Sequence, residues 1–153
     1  MPTTSFAREF TVPADPPACW RVLTDVARLA GWVGILDDVK ELSPLESYQA
    51  VLMDRLGPFR LRADLDVAVS EVEEPRRIRV RAAGEDRQVS SRLGIDATLQ
   101  LVTGDDGATT VSVTGTYEVV GKVATLGSGM IRQKAAKILD EFTGHAVAEL
   151  GGR

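Results

Sequence analysis

This chain of 153 residues contains one cysteine, one histidine and few aromatic side chains, 5% of the total. A lone cysteine, Cys19, cannot close an internal disulfide, so the fold does not require an oxidising compartment. With His145 the only imidazole, no Cys/His metal cluster can be assembled, and no catalytic pattern places a carboxylate or cysteine near it in sequence. Basic residues are not in excess: 18 Lys and Arg against 22 Asp and Glu give a net charge of −4, which speaks against a nucleic-acid partner. No uninterrupted apolar run reaches the roughly 18 residues of a membrane span. The start, MPTTSFAREF, lacks the basic and apolar regions of a secretory leader, so a cytoplasmic location is the expectation.

What the chain does have is an ordinary globular balance, 44% hydrophobic and 26% charged, and a length that predicts one domain over 1–153. Phe6, Phe10 and Val12 fall at period-two positions and predict a first strand over Ser5–Val12, ended by Pro13. Asp15 is placed to cap a helix that tolerates Pro16 and Pro17 in its first turn, where their missing N–H groups go unused. Trp20, Leu23 and Ala27 form the apolar stripe of this helical region, read as two short helices, and Gly31 is expected to close it. An extended segment follows near Val39–Leu42.

Around and beyond Ser47, turn signals recur at strand-like spacing: Ser43-Pro44, Gly57-Pro58, Glu74-Pro75, Gly84-Glu85-Asp86 and Asp105-Asp106-Gly107. Between them one face is apolar and one polar. Phe59, Leu61, Ala63, Leu65, Val67 and Val69 alternate with Arg60, Arg62, Asp64 and Asp66; Ile78, Val80 and Ala82 alternate with Arg77, Arg79 and Arg81. Leu93, Ile95, Ala97, Leu99 and Leu101 make another such set, as do Val111, Val113, Gly115, Tyr117 and Val119. The class is therefore α+β: an antiparallel sheet of six to seven strands whose apolar face must be covered, with the last helical pattern as its cover.

That pattern lies within GKVATLGSGMIRQKAAKILDEF, Gly121–Phe142. As a phosphate loop it fails: GTYEVVGKV, from Gly115, has five residues between its glycines instead of four, and Val123 stands where a metal-bound hydroxyl belongs. As a helix its inner side is graded, with Ile138, Leu139 and Phe142 in the second half but mainly Ala124, Gly127 and Ser128 in the first. Glycine in a helix costs about 1 kcal/mol relative to alanine. The thin first half is accordingly expected to leave an apolar space above the sheet. On this reading Gly127→Leu or Ala124→Phe fills that space, abolishing ligand uptake with stability unchanged or raised.

The order of strand, short helices, meander and long terminal helix resembles the helix-grip fold of START lipid-transfer domains, plant allergen-type binders and polyketide cyclases. More narrowly, EFTVPADPPACWRVLTD (Glu9–Asp25), LGPFRLRADLDV (Leu56–Val67) and GKVATLGSGMIRQKAAKILDEF make the chain similar to the G-subunit family of carbon monoxide dehydrogenase, over essentially its whole length. Two departures stand out. Val33-Gly34-Ile35 replaces the family's usual Ile-Pro-Gly, and the chain stops at ELGGR where many members continue into a polar linker and an apolar tail.

The resemblance implies a curved sheet wrapped around the terminal helix and an accessory, non-enzymatic role beside a molybdenum-containing dehydrogenase, at the inner face of the cell membrane. It implies no covalent cofactor, and a bound isoprenoid quinone such as menaquinone, or another lipid, as ligand. A lining for it would come from Phe59, Leu61, Leu65, Leu99 and Tyr117 on the sheet. Trp32, Leu36, Leu126, Met130 and Ile131 would close the space, with Ala124 and Gly127 on its thin side. Two other roles stay open on the same fold: a cyclase or dehydratase-like enzyme, and a recruitment adaptor without ligand.

Several of these residues also have plainer readings. Trp32, Tyr117 and Met130 serve equally as packing, Trp20 and Cys19 as core, and His145 as a structural or surface group. Arg76, Arg77, Arg79 and Arg81 read as a solvated strand face, with docking to an acidic partner or to lipid headgroups as the functional alternative. Arg8 shares the parity of Phe6 and Phe10 and is the one charge expected to reach the interior, to meet a polar ligand head or an acidic residue.

Overall fold

Alternation decides the architecture. In the computed structural model, which describes residues 3–151, seven strands form one antiparallel sheet in the order β1-β7-β6-β5-β4-β3-β2. They are β1 (Thr4–Val12), β2 (Leu36–Ser43), β3 (Ser47–Leu56), β4 (Phe59–Glu73), β5 (Arg77–Asp86), β6 (Ser91–Thr103) and β7 (Thr109–Gly121). Helices α1 (Pro16–Leu23) and α2 (Val26–Trp32) follow β1. A 3-10 turn, η1 (Lys122–Leu126), and the long helix α3 (Ser128–Glu149) follow β7.

The helix starts are written locally. Asp15 Oδ1 accepts from the Ala18 N–H at 3.0 Å, with prolines in the first turn of α1. The break between the helices falls at Thr24 and Asp25, where Asp25 Oδ1 caps α2 by accepting from Arg28 N. Gly31 lies inside α2 and does not end it.

The sheet curves because glycines sit where neighbouring backbone comes close. A Cβ on Gly84 would collide with the Asp64 carbonyl, and one on Gly115 with the Asp96 carbonyl. Gly84-Glu85-Asp86 is consequently not a turn: it belongs to β5, and the reversal comes at 87–90. There the buried Asp86 carboxylate accepts from the Arg62, Gln88 and Val89 N–H groups, holding the β5–β6 turn against β4.

The final segment also departs from a single graded helix. Gly121 and Gly127 have φ of +98° and +92°, left-handed values open to glycine, and flank η1 as breaks in the chain path. α3 starts only at Ser128. Gly121 and Gly127 are thus placed by backbone geometry, not as thin positions of a helical wheel.

Buried apolar side chains form two clusters. One gathers Val12, Cys19, Trp20, Leu23, Trp32, Ile78, Leu101, Val111, Ala146 and Leu150, under α1, α2 and the end of α3. The other gathers Leu61, Val89 and Val123, with Leu52, Leu56, Phe59, Leu93, Val119 and Leu126 around them, under η1.

Candidate functional site: the concave face beneath the terminal helix

Between these clusters lies the middle of the sheet's concave face. Strand parity places Leu65, Val67, Val80, Ala82, Ile95, Ala97, Gly115 and Tyr117 there, since each shares its face with residues of one cluster or the other. None of these eight joins either cluster of packed side chains. Ile95, at the centre of β6, is 41% exposed although Leu93 and Leu99 on the same face of the same strand are packed. A central, inward-facing isoleucine with that much exposure means that no side chain of the helix covers it.

α3 accounts for the gap. Ala146 is its only buried residue among those described, while Ile131, Ala135, Ile138 and Leu139 are half-buried. The helix is fastened at its flanks instead. On the β1 side Arg8 Nε donates to Asp140 Oδ1 at 3.2 Å. On the β3 side Lys134 Nζ lies 3.0 Å from Asp54 Oδ2, with only 13% of the Asp54 side chain exposed. Near the helix end Arg28 Nη1 donates to Glu149 Oε1 at 2.7 Å. Arg8 therefore meets an acidic residue, but at the exposed flank of α3 and not in the interior: the Asp140 side chain is 72% exposed. The Asp54–Lys134 pair was not anticipated, yet its signal is present: Tyr48, Ala50, Leu52, Asp54 and Leu56 share one face of β3, opposite Leu61 and Phe59 of β4.

The lining residues named from sequence fall into groups. Leu61 and Leu65 are buried and Phe59 half-buried along β4; Leu99 and Tyr117 are half-buried on β6 and β7. Tyr117 packs against Phe6 across β1, ring centroids 6.4 Å apart. Leu126 lies against the β3–β4 hairpin tip at Gly57, inside the smaller cluster with Leu56 and Phe59. Ala124 is half-buried in η1, and Leu36 and Ile131 are half-buried. Met130 is 43% exposed at the start of α3.

Trp32 is buried in the larger cluster, edge-on to Phe142 at 5.7 Å and stacked on the exposed His145 ring at 6.1 Å. Gly127 is exposed with open space where a Cβ would stand, and its φ of +92° makes any side chain there strained. The expectation that Gly127→Leu leaves stability unchanged is therefore corrected, because the backbone strain precedes any filling of space.

The remaining singled-out groups are structural. Cys19 is fully buried and its thiol is pushed up by burial, the opposite of a reactive thiolate. Arg76 lies in the β4–β5 turn, whereas Arg77, Arg79 and Arg81 lie on the outer face and are ion-paired: Arg79 grips Asp96 with two N–H donors at 2.9 and 2.6 Å and Glu71 with a third at 2.8 Å. Both carboxyls are held below the usual carboxylate range by those Arg79 hydrogen bonds. Two open depressions lie on this part of the sheet: one of about 500 Å3 is lined by Asp66, Arg81, Asp96 and Glu118 together with small and apolar residues, Ala82, Ile95 and Tyr117 among them, and one of about 840 Å3 is lined largely by charged side chains, among them Arg62, Asp64, Glu85 and Arg87. Among the described residues no three His, Cys, Asp or Glu side chains converge, and no helix is long and apolar enough to cross a membrane.

Comparison with solved structures gives the same fold at low identity. A conserved protein from Geobacillus kaustophilus superposes with a TM-score of 0.83 at 18% identity, covering 96% of this chain and 95% of that one. A START superfamily protein from Mycobacterium smegmatis gives 0.64 at 13% identity over 95% and 96%, and Ara h 8.0201 gives 0.61 at 14% over 96% and 99%. No curated protein matches the chain. The family model for the carbon monoxide dehydrogenase G subunit (CoxG) matches residues 9–150, from the first strand to the end of α3, and on that match this chain belongs to the CoxG family.

Proposed function

We propose that this chain is a non-enzymatic carrier that takes a hydrophobic small molecule, an isoprenoid quinone, into the concavity beneath α3. There it serves as an accessory and membrane-recruitment protein for a carbon monoxide dehydrogenase-type oxidoreductase. The observation that carries this reading is the interruption of the core: two packed clusters with exposed Ile95 between them, under a helix held at its flanks. Uncovered apolar surface in a protein's interior costs about 25 cal/mol per Å2, a cost an apolar ligand removes. The family supplies the setting. A quinone's prenyl tail is retained by the bilayer at about 0.8 kcal/mol per CH2, so a protein that receives it needs an apolar wall of comparable extent. Leu65, Val67, Ile95 and Leu99 offer that wall on the sheet, and Ile131, Ala135 and Ile138 on the helix. Tyr117 carries a hydroxyl on the same face, a donor suited to a quinone carbonyl.

Native mass spectrometry of protein purified without detergent, followed by organic extraction, tests the reading. A co-purifying or readily loaded isoprenoid quinone is the expected result. Ala135→Phe, which places a ring in the concavity from a half-buried helical position, should lower uptake at least about tenfold with the melting temperature unchanged or raised. Protein that is empty and unresponsive to added quinone overturns the carrier function.

A further inference from the structure

The charges of this acidic chain are sorted by position. Three segments, 55–62, 87–92 and 121–139, contain nine of the eighteen Lys and Arg residues and not one of the 22 Asp and Glu. The fold brings their turns together at one end of the molecule. Leu126 touches the β3–β4 tip at Gly57, and Lys122 N donates to Ser90 O at 3.3 Å. Val123 N donates to Ser91 Oγ at 3.0 Å, and Leu61, Val89 and Val123 pack together beneath. Arg55, Arg60, Arg87, Lys122 and Arg132 are all exposed around this end. Three of its acidic neighbours are already engaged, Asp54 with Lys134, Glu85 with Arg87, and Asp86 with three backbone N–H groups, while Asp64 and Glu118 lie beside Arg62, Arg87 and Arg92 on the outer face of the sheet. Among the cations sits exposed apolar surface, Pro58 at the hairpin tip and Met130 at 43% exposure in the first turn of α3. The turns at the opposite end carry Glu46, Glu73, Glu74, Asp105 and Asp106.

We propose that this cationic end, with Pro58 and Met130 at its tip, is the surface by which the chain docks on an anionic lipid bilayer. A molecule positive at one end and negative at the other is oriented by a negative membrane potential before contact. Cations ringing exposed apolar side chains match a surface of anionic headgroups over acyl chains. The same end carries η1 and the first turn of α3, which border the concavity, so docking here sets the proposed ligand site against the lipid. The docking rests on the membrane-recruitment part of the proposed function, and that last step on the carrier part.

The test uses the full chain and quinone-free vesicles, so that it reads the surface alone, with quinone loading measured separately. In flotation with phosphatidylcholine vesicles containing about 30% phosphatidylglycerol, the chain should bind at about 50 mM salt and release by about 300 mM, while pure phosphatidylcholine vesicles fail to retain it. The Arg55→Glu, Arg60→Glu, Lys122→Glu variant should lose about two orders of magnitude in partitioning. Arg76→Glu, at the opposite end, should bind like the parent. Circular dichroism of each variant confirms that the exposed substitutions leave the fold intact. Equal partitioning of the triple variant and the parent, or no partitioning at low salt, overturns the proposal. So does capture of the chain by a purified dehydrogenase through these cations when vesicles fail to bind it. Loss of vesicle binding with quinone loading intact would leave the carrier function standing.

Discussion

Asp96 shows how much one side chain organises on the outer face. It accepts two hydrogen bonds from Arg79 and one from Arg81 Nε at 3.2 Å, and its carboxyl is held low chiefly by the Arg79 bonds. A carboxylate with a depressed folded pKa stabilises fully above its unfolded value, about 3.9, and loses that contribution as the pH falls through the lower folded value. Asp96→Asn should therefore lower the melting temperature at pH 7, with the gap to the parent closing below about pH 4. Glycines give a second single-residue test. Gly127 has a φ of +92°, whereas Gly144 lies mid-helix in α3 with open space around it. Gly127→Ala should cost about 1–3 kcal/mol, because its φ of +92° with an extended ψ of 153° is a backbone conformation essentially confined to glycine. Gly144→Ala should add about 0.5–1 kcal/mol through helix propensity. Opposite signs in denaturant melts are the expected outcome; equal signs would contradict the backbone assignment.

At the scale of elements, the question is what holds α3 over a concavity it does not fill. Its C-terminal half is packed through Ala146 and Phe142 against the Trp32 cluster. Its N-terminal half has half-buried Ile131 and Ala135 and is steadied by the Asp54–Lys134 pair. Exposed ion pairs contribute little, about 0–1 kcal/mol. Asp54 is better shielded, so removing its partner leaves a poorly hydrated carboxylate. Lys134→Met should cost about 1–2 kcal/mol in the parent and much less in an Asp54→Asn background, a coupling a double-mutant cycle reads directly. Additive effects would mean that the pair does not hold the helix. On the proposed carrier function, loss of the same pair should also speed quinone exchange, because it frees this half of α3 to move.

For the whole molecule, a ligand that binds only the folded state adds RT ln(1 + [L]/Kd), about 2.7 kcal/mol at a hundredfold excess over Kd. For a domain of this size that corresponds to about 5–10 °C in melting temperature, and a quinone bound beneath α3 should produce it, with Ala135→Phe insensitive to the same addition. Much of this architecture was legible in the chain alone. Strand alternation, the Asp15 cap and the turn signals act over a few residues, so the sheet, the short helices and the shared parity of Arg8, Phe6 and Phe10 could be read locally, as could the sorting of charge along the sequence. The family followed from the order of those same segments. Only the tertiary structure decided that Gly84 lies inside a strand, that α3 begins after a break at Gly127, and that Asp54 and Lys134 meet. It alone separated the core into two clusters with Ile95 uncovered between them. Those outcomes depend on how closely backbones of distant strands approach and how far a helix stands from a curved sheet, distances set jointly by side chains from seven strands and three helices, which no local periodicity encodes.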